Sequence, residues 1–588
     1  MVGKIVKNIG KLWKYSYNYR GCLILLGLLT ILGAWLEIRI PMYMSEVLDG
    51  IIHMESLSYV ARTCLMIGIL SLVLTIQGMG EGYFVARWSS GVTRNLSDSL
   101  FSRIMSYESR DMDHFGSATA LTRLTTDVTI LRRALEMTGS LFLCPLLIVF
   151  SVISACMINR SLSLVFVLTI PVMGGLLAFI IALSRSHYRK MLADYDHMNQ
   201  TLSESIVGLR TIKSYAREDE QKTVFEKISD HLRRNSLSAE RLAALNAPFS
   251  KMAVNLSILA LAWLGGRRII QGTLSVGDLF CLITYTNQIL AQLLIISMIL
   301  VPLVTSQVCL DRILEMLEWD DRKIDQSTVQ AAAAGHAEKG QAAVTVRNLR
   351  FSYSGAKSEA LLQDIELEIR EREFLGITGT GGAGKTSLIR LIMGLYPADA
   401  GTVFIHGRDI RSYDRSERKS LFGYVPQKAQ LFSGTIRENL CAGRPEATEE
   451  ELDRACRNAC IDEYIRKQEA GYDTILEEGG TNLSGGQRQR MCLARALLRN
   501  AGILVMDNMT SALDSITEAR VVNNLRREYA GLTRIVISDR ISTIRDADRI
   551  FVLDRGRIAG TGTHDELIKT CRIYHEMAKI QEKQIADG

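Results

Sequence analysis

The chain is predicted to fold in two unlike parts: an α-helical membrane domain of six transmembrane helices with long cytoplasmic extensions, followed by an α/β domain built on a phosphate-binding P-loop. Three observations predict this. Uncharged apolar runs long enough to cross a bilayer of roughly 30 Å recur through the first half and then stop. Two long, charged, helix-patterned connections, residues 81–136 and 185–241, separate some of those runs. In the second half the composition becomes ordinarily polar, and a glycine-rich segment lies between an apolar strand and a helix pattern. At 588 residues the chain exceeds one compact domain. The expected boundaries are a membrane domain over 1–320, an Ala-rich linker over 321–342 and the α/β domain over 343–588.

The first twenty residues carry Lys4, Lys7, Lys11, Lys14 and Arg20, no acid, and apolar residues at helical spacing. This pattern suits a helix lying on an anionic membrane surface. The competing reading, a signal peptide, lacks a small-residue cleavage site after its apolar region. Apolar runs follow at 21 to about 41, 63–80, 137–159, 161–184, about 242–266 and 279–310. Basic residues crowd the N-terminus and the two long connections, which places those parts and both termini in the cytoplasm. Each long connection is expected to extend one helix past the lipid, turn through a short helix able to touch a partner, and return. Glu37, Arg39 and Glu81 interrupt apolar spans at a cost of a few kcal/mol in lipid. For Glu81 two readings stand: a carboxylate meeting a cationic substrate, or an interfacial residue paired with Arg87. Gly78, Gly80 and Gly82 suggest a close helix-packing surface. A net charge of +6 is small for this length and argues against a nucleic-acid partner. The eleven cysteines show no CxxC or Cys/His metal spacing and read as buried thiols.

In the second half, 344–352 alternates as a strand and ends near Tyr353, and 374–378 forms a second, apolar strand. Gly379, Thr380, Gly381, Gly382, Ala383, Gly384, Lys385 and Thr386 then match GxxxxGK[ST] and run into a helix beginning at Ser387. Glycines let backbone N–H groups wrap phosphates at a helix N-terminus; Lys385 reaches the β and γ phosphates, and Thr386 ligates magnesium. Farther on, Leu483, Ser484, Gly485, Gly486 and Gln487 open a helix as another anion site. The apolar run 503–506 ends in Asp507, followed by Asn508, and Ser511, Ala512, Leu513 and Asp514 close the stretch.

Together these motifs, with Gln427 after Val425 and Pro426, resemble the ATP-binding cassette (ABC) family, and the layout with Asp113, His114, Phe115 and Gly116, and with 208–215, resembles its exporter branch. The resemblance covers nearly the whole chain. It implies ATP and Mg2+ as ligands, Tyr353 stacked on adenine, Gln427 sensing magnesium and the γ phosphate, and Asp507 binding magnesium through water. It implies too that Ser484, Gly485, Gly486 and Gln487 serve the ATP of an opposing subunit, and that Glu478 contacts coupling turns. Three positions depart from the family. Gly381 stands where Ser or Thr is common, Asn508 replaces the glutamate base and Asp539 replaces the switch histidine. An amide cannot take a proton, and loss of a positioned base costs about 10² to 10⁴ in rate. An anion about 4 Å from a phosphate oxygen is unfavourable by roughly 4 kcal/mol at an effective dielectric near 20, before magnesium and Lys385 offset it.

This pattern resembles one subunit of a heterodimeric multidrug-type exporter: a degenerate site that holds ATP, with an intact signature lent to a catalytically competent partner. The expected setting is a multi-pass position in a bacterial plasma membrane, among lipid, with an amphipathic small molecule as cargo. No peptidase-like segment precedes the first span, which argues against a leader-peptide cargo. The alternative is a homodimeric, nearly inactive ABC membrane protein acting as an ATP-binding sensor or scaffold.

Overall fold

The computed structural model describes residues 10–319, 342–353 and 360–586. The lysines at 4 and 7 and nearly all of the expected linker fall outside them. Two compact units emerge: residues 1–106 with 116–319, and 107–115 with 320–588.

The first unit is helical throughout. Its main helices are α1 (Arg20–Ile52), α2 (Leu57–Ser106), α3 (Thr138–Ile158), α4 (Arg160–Val207), α5 (Glu218–Ala244), α6 (Asn246–Ile270) and α7 (Val276–Leu317). At 1.5 Å per residue the 50 residues of α2 span about 75 Å, more than twice a hydrocarbon core. Its excess is the extension expected from the charged connection at 81–136. By length and composition, five helical stretches among the described residues are apolar enough to cross a membrane, in α1, α2, 117–158, α6 and α7. In α4 only the stretch Arg160–Leu176 is recognised, as a shorter apolar helix. The count of six spans therefore stays an expectation for this helix.

Local chemistry sets the breaks. Asn159 leaves helical geometry and its Oδ1 accepts from the N–H groups of Ser161 and Leu162, capping α4, and from Arg268. A short helix, Leu209–Ser214, turns the chain from α4 into α5. Packing pairs α1 with α2 and α4 with α5, and lays α7 against α1 and α3. The interior gathers Ala34, Leu147, Phe166, Met173, Leu261 and Tyr285, whereas Leu65, Ile69, Leu72 and Ile76 of α2 stand exposed, as residues facing lipid tails do.

Two expectations for this unit are corrected. A Cβ at Gly78 or Gly82 meets nothing within 4 Å, and one at Gly80 makes only ordinary contact with Leu29. Gly78 and Gly82 face away from the rest of their own chain. Close approaches lie instead at Gly33 against Gln77, Gly91 against Tyr19, Gly139 against Glu81, Gly265 against Leu279 and Gly277 against Ser45. Glu81 does not pair with Arg87. It accepts from Gln77 Nε2 at 2.9 Å, while Arg87 donates to the Tyr83 hydroxyl at 2.9 Å.

The second unit contains two principal sheets and a small antiparallel pair, β7 (Gly434–Thr435) with β8 (Ile475–Leu476). An antiparallel sheet has the order β2 (Leu362–Arg370), β1 (Ala342–Phe351), β4 (Val403–Ile405), β5 (Arg408–Asp409). A six-stranded sheet has the order β12 (Arg557–Gly562), β11 (Arg549–Asp554), β3 (Phe374–Gly379), β10 (Thr533–Ile537), β9 (Ile503–Asp507), β6 (Phe422–Val425). Its five strands from β11 to β6 are parallel. Every residue of β3, β9 and β10 is buried, which explains why they read as continuous apolar runs. Ile377, Val505, Ile535 and Leu388 pack toward the antiparallel sheet, while Met506, Val536, Met491 and Leu497 belong to a second core. Helices used below are α8 (Lys385–Ile392), α9 (Gly485–Leu498), α10 (Ser515–Glu528) and α11 (Arg572–Ala586). Tyr107–Phe115 belongs to this unit: Tyr107 and Phe115 stack at 5.8 Å, and Arg415 donates to the Tyr107 carbonyl at 2.9 Å.

Candidate functional site

Strand order builds the site. In a parallel sheet the loops leaving the C-terminal strand ends share one edge, where ligands bind. Adjacent strands β3, β10, β9 and β6 therefore deliver the glycine-rich loop, Asp539, Asp507 and Gln427 side by side. The register aligns Ile537 with Asp507 and with Ile377, and Val425 with Met506.

The loop after β3 needs its glycines unequally. A Cβ at Gly379 would sit 1.9 Å from the Leu553 carbonyl oxygen, and one at Gly384 would sit 2.6 Å from Leu362 Cδ2. Gly382 and Gly384 take φ of +77° and +94°, where L side chains are disfavoured. Gly381 has open space and no such φ, so the serine or threonine common in the resembling family fits there without strain. Lys385 and Thr386 begin α8, and the loop stays tied to β11 by Thr380, which donates to Asp554 at 2.8 Å. Lys385 Nζ donates to the carbonyls of Gly379 at 2.8 Å and Thr380 at 3.2 Å.

Asp507 is fully buried, and its Oδ2 accepts from Thr386 Oγ1 at 2.9 Å. Its Oδ1 has no hydrogen-bond partner. Burial pushes this carboxyl above the usual carboxylate range; the Thr386 hydroxyl, Arg390 and Lys385 pull it back, and Asp539 adds to the rise. A buried carboxylate oxygen without a donor, beside a threonine hydroxyl, is the oxygen-only chemistry a hard divalent cation accepts. No cluster of three or more His, Cys, Asp or Glu suited to a metal occurs among the described residues. The residues thus fit a magnesium ion, which Thr386 and Asp507 would hold.

Asn508 and Asp539 meet. Asn508 Nδ2 donates to Asp539 Oδ2, and the Asp539 N–H donates to Asn508 Oδ1, both at 3.2 Å. Asp539 Oδ1 lies 3.1 Å from Lys385 Nζ. Asn508 has a φ of +49°, a conformation asparagine adopts more readily than most residues. Gln427 is exposed two residues past β6. The Tyr353 hydroxyl lies 2.9 Å from Ser387 Oγ, and the half-exposed ring meets Tyr396 edge-on at 5.3 Å. This ties the aromatic to the start of α8.

The signature residues form a second station. Ser484 caps α9 in a reciprocal box: the Gln487 N–H donates to Ser484 Oγ at 3.2 Å, and the Ser484 N–H to Gln487 Oε1 at 2.8 Å. Ser484 and Gly485 are exposed at the helix N-terminus. A Cβ at Gly486 would lie 2.9 Å from the Ala512 carbonyl oxygen. Asp514 caps α10, and the Thr517 N–H holds its carboxyl below the usual range.

Two glutamines had no motif to mark them. Buried Gln489 donates to Ser511 Oγ at 2.8 Å and accepts from the Ala512 N–H at 3.1 Å, joining α9 to the 511–514 loop. Gln581, on α11, donates to the Asp539 carbonyl at 2.7 Å and accepts from the Ile541 N–H at 2.8 Å. Its only sequence signal is a polar residue in an amphipathic helix, which is not enough to find it.

Residues 23–293 match the family described as ABC transporter transmembrane region, and 362–511 match the family described as ABC transporter. The chain is 32% identical over 582 residues to a protein named as an uncharacterized ABC transporter ATP-binding protein from Mycobacterium tuberculosis, covering 97% of each. It is 28% identical over 544 residues to an ATP-dependent lipid A-core flippase of Chromohalobacter salexigens, covering 92% of each. A solved structure of a bacterial Atm1-family ABC exporter with ATP bound shares the fold at a TM-score of 0.78 and 24% identity, over 96% of this chain and 98% of that one.

Proposed function

Because this chain belongs to the ABC transporter family, as a multi-pass membrane protein with an ATP-binding domain, we propose that it is one half of an ATP-driven exporter. In this reading its own site binds ATP and Mg2+ but hydrolyses poorly, and it pairs with a different, catalytically intact half. The observation that carries the reading is the group following Asp507: the Asn508 amide, tied to Asp539 by two 3.2 Å hydrogen bonds. An amide offers no proton acceptor to an attacking water.

Each residue has a part. Backbone N–H groups of 379–386 and the start of α8 hold the phosphates, Lys385 the β and γ oxygens, and Tyr353 the adenine face. Thr386 and, through water, Asp507 hold magnesium, with Gln427 reporting on it. Bound there, magnesium neutralises charge on the β and γ phosphates. Ser484, Gly485, Gly486 and Gln487 present a helix N-terminus to the partner's nucleotide. Exposed Ser484 and Gly485 support that role.

The cargo of this reading is an amphipathic small molecule, in keeping with the printed activity of the flippase relative and with long lipid-facing helices. Six spans, α4 included, put both termini in the cytoplasm of a bacterial cell. The decisive measurement is ATP turnover by the purified chain in lipid without a partner. Turnover is expected to be very low, and the double substitution Asn508→Glu with Asp539→His raises it by about 10² or more. Brisk turnover by the unaltered chain alone would remove the basis for a divided labour.

A further inference from the structure

Three hydrogen-bond donors sit on an ammonium; on Lys385 two go to the carbonyls of Gly379 and Thr380, and the carboxylate of Asp539 forms an ion pair with it at 3.1 Å. A phosphoryl group beyond the β position must approach the same ammonium. Resting on the reading that this site holds nucleotide, we propose that Asp539 is a specificity-determining residue, a built-in stand-in for the terminal phosphate that leaves the site with little preference for ATP over ADP.

Geometry supports this in three ways. Asp539 is anchored from both sides, its N–H and carboxylate by Asn508 and its carbonyl by Gln581, so its side chain is presented to Lys385 by a fixed backbone. Lys385 is nearly buried, with a side chain 10% exposed, so the ammonium has little freedom to serve a second anion elsewhere. Finally, the groups that would grip α and β phosphates, the N–H groups of the loop and of the α8 N-terminus, lie between β3 and α8 and at the start of α8, and do not involve Asp539. Repulsion from the carboxylate consequently falls on the γ phosphate and spares ADP. Asn508 belongs to the same device: a carboxylate at 508 would face Asp539 with like charge, whereas the amide both donates to it and accepts from its N–H.

The test uses the full-length chain in lipid nanodiscs, with Mg-ATP and Mg-ADP each displacing a fluorescent ADP analogue. The unaltered chain is expected to bind the two within about threefold of each other. Asp539→Asn tightens ATP by about tenfold, equivalent to ~1.4 kcal/mol, and leaves ADP unchanged. In a Lys385→Ala background the same substitution gives no such gain, since the two residues act through one contact. Asn508→Ala, which loosens the hold on Asp539 without altering charge, moves the ratio the same way by a smaller factor. The proposal is overturned if Asp539→Asn shifts both nucleotides alike or leaves the ratio unchanged. Should the unaltered chain bind, Lys385→Ala weaken that binding, and the ratio ignore residue 539, the nucleotide site stands and this inference alone falls. If no variant displaces the probe, both fall together.

Discussion

Asp507 is a fully buried carboxyl whose charge is only partly compensated, by the Thr386 hydroxyl, Arg390 and Lys385. Its buried Oδ1 has no donor, and burial raises its proton affinity. A group whose folded value lies above its unfolded value supports the fold below the ordinary carboxylate range and loses that support as pH climbs through the raised value. In EDTA, then, the unfolding temperature of the nucleotide-binding unit is expected to drop across the pH window just above the ordinary aspartate range. Asp507→Asn should flatten that dependence and stabilise the metal-free protein by on the order of 1 kcal/mol, as neutralising a functional strain often does. The same substitution should erase the thermal shift given by Mg-ATP. A pH profile unchanged by Asp507→Asn in scanning calorimetry would show that the charge is compensated by another group. Sequence made Lys385 and Thr386 legible through the spacing of their motif, and Asp507 through the family resemblance. Gln489 and Gln581 were not, since each acts on residues brought near only by folding, Gln581 from 42 positions away.

Helix α9 shows how an element carries chemistry. Its N-terminus is fixed by the Ser484–Gln487 box, and its body by Gln489, which ties it to the 511–514 loop. Because the exposed Ser484 and Gly485 are read as serving a partner's phosphate, Ser484→Ala has two expected effects. Loss of the cap lowers local stability by ~1 kcal/mol. ATP hydrolysis by the paired complex falls by about 10², the usual size for removing one anion-stabilising donor. Hydrolysis by the pair that survives Ser484→Ala intact would place the working signature on the other subunit. The strands taught a different lesson. Apolar runs at 374–378 and 503–506 announced buried strands, but their order β3-β10-β9-β6 came from pairing between segments far apart in the chain, such as Arg534 with Phe374, which no local pattern encodes.

For the whole chain the topology of the membrane unit is the property most open to direct measurement. In a background lacking the eleven native cysteines, a cysteine at His53 or Gly272 should react with an impermeant maleimide added outside, and one at Arg210 only after permeabilisation. Those positions lie at exposed ends between α1 and α2, after α6, and in the turn between α4 and α5. Labelling of Arg210 and Gly272 from the same side would rule out six spans with cytoplasmic termini. The glycines at 78 and 82 belong to this scale too. Read as a packing surface, they face open space within their own chain, because small side chains mark close approach without naming the partner.

Residue spacing by itself determined the two-part architecture, the alternation of apolar spans with charged connections and the phosphate loop, and the family resemblance marked the departures at Asn508 and Asp539. These depend on short-range periodicity and on motifs whose members are neighbours in the chain, so local chemistry suffices to write them. Only the tertiary structure decided that Asn508 and Asp539 clasp each other and rest on Lys385, that Glu81 pairs with Gln77, and that Gln489 and Gln581 brace the loops at 511–514 and 539–541. Each of those contacts joins separate strands or helices, or one of several partners within reach on a single helix. Their distances are set by sheet register and core packing, which summed side-chain preferences along the sequence leave open.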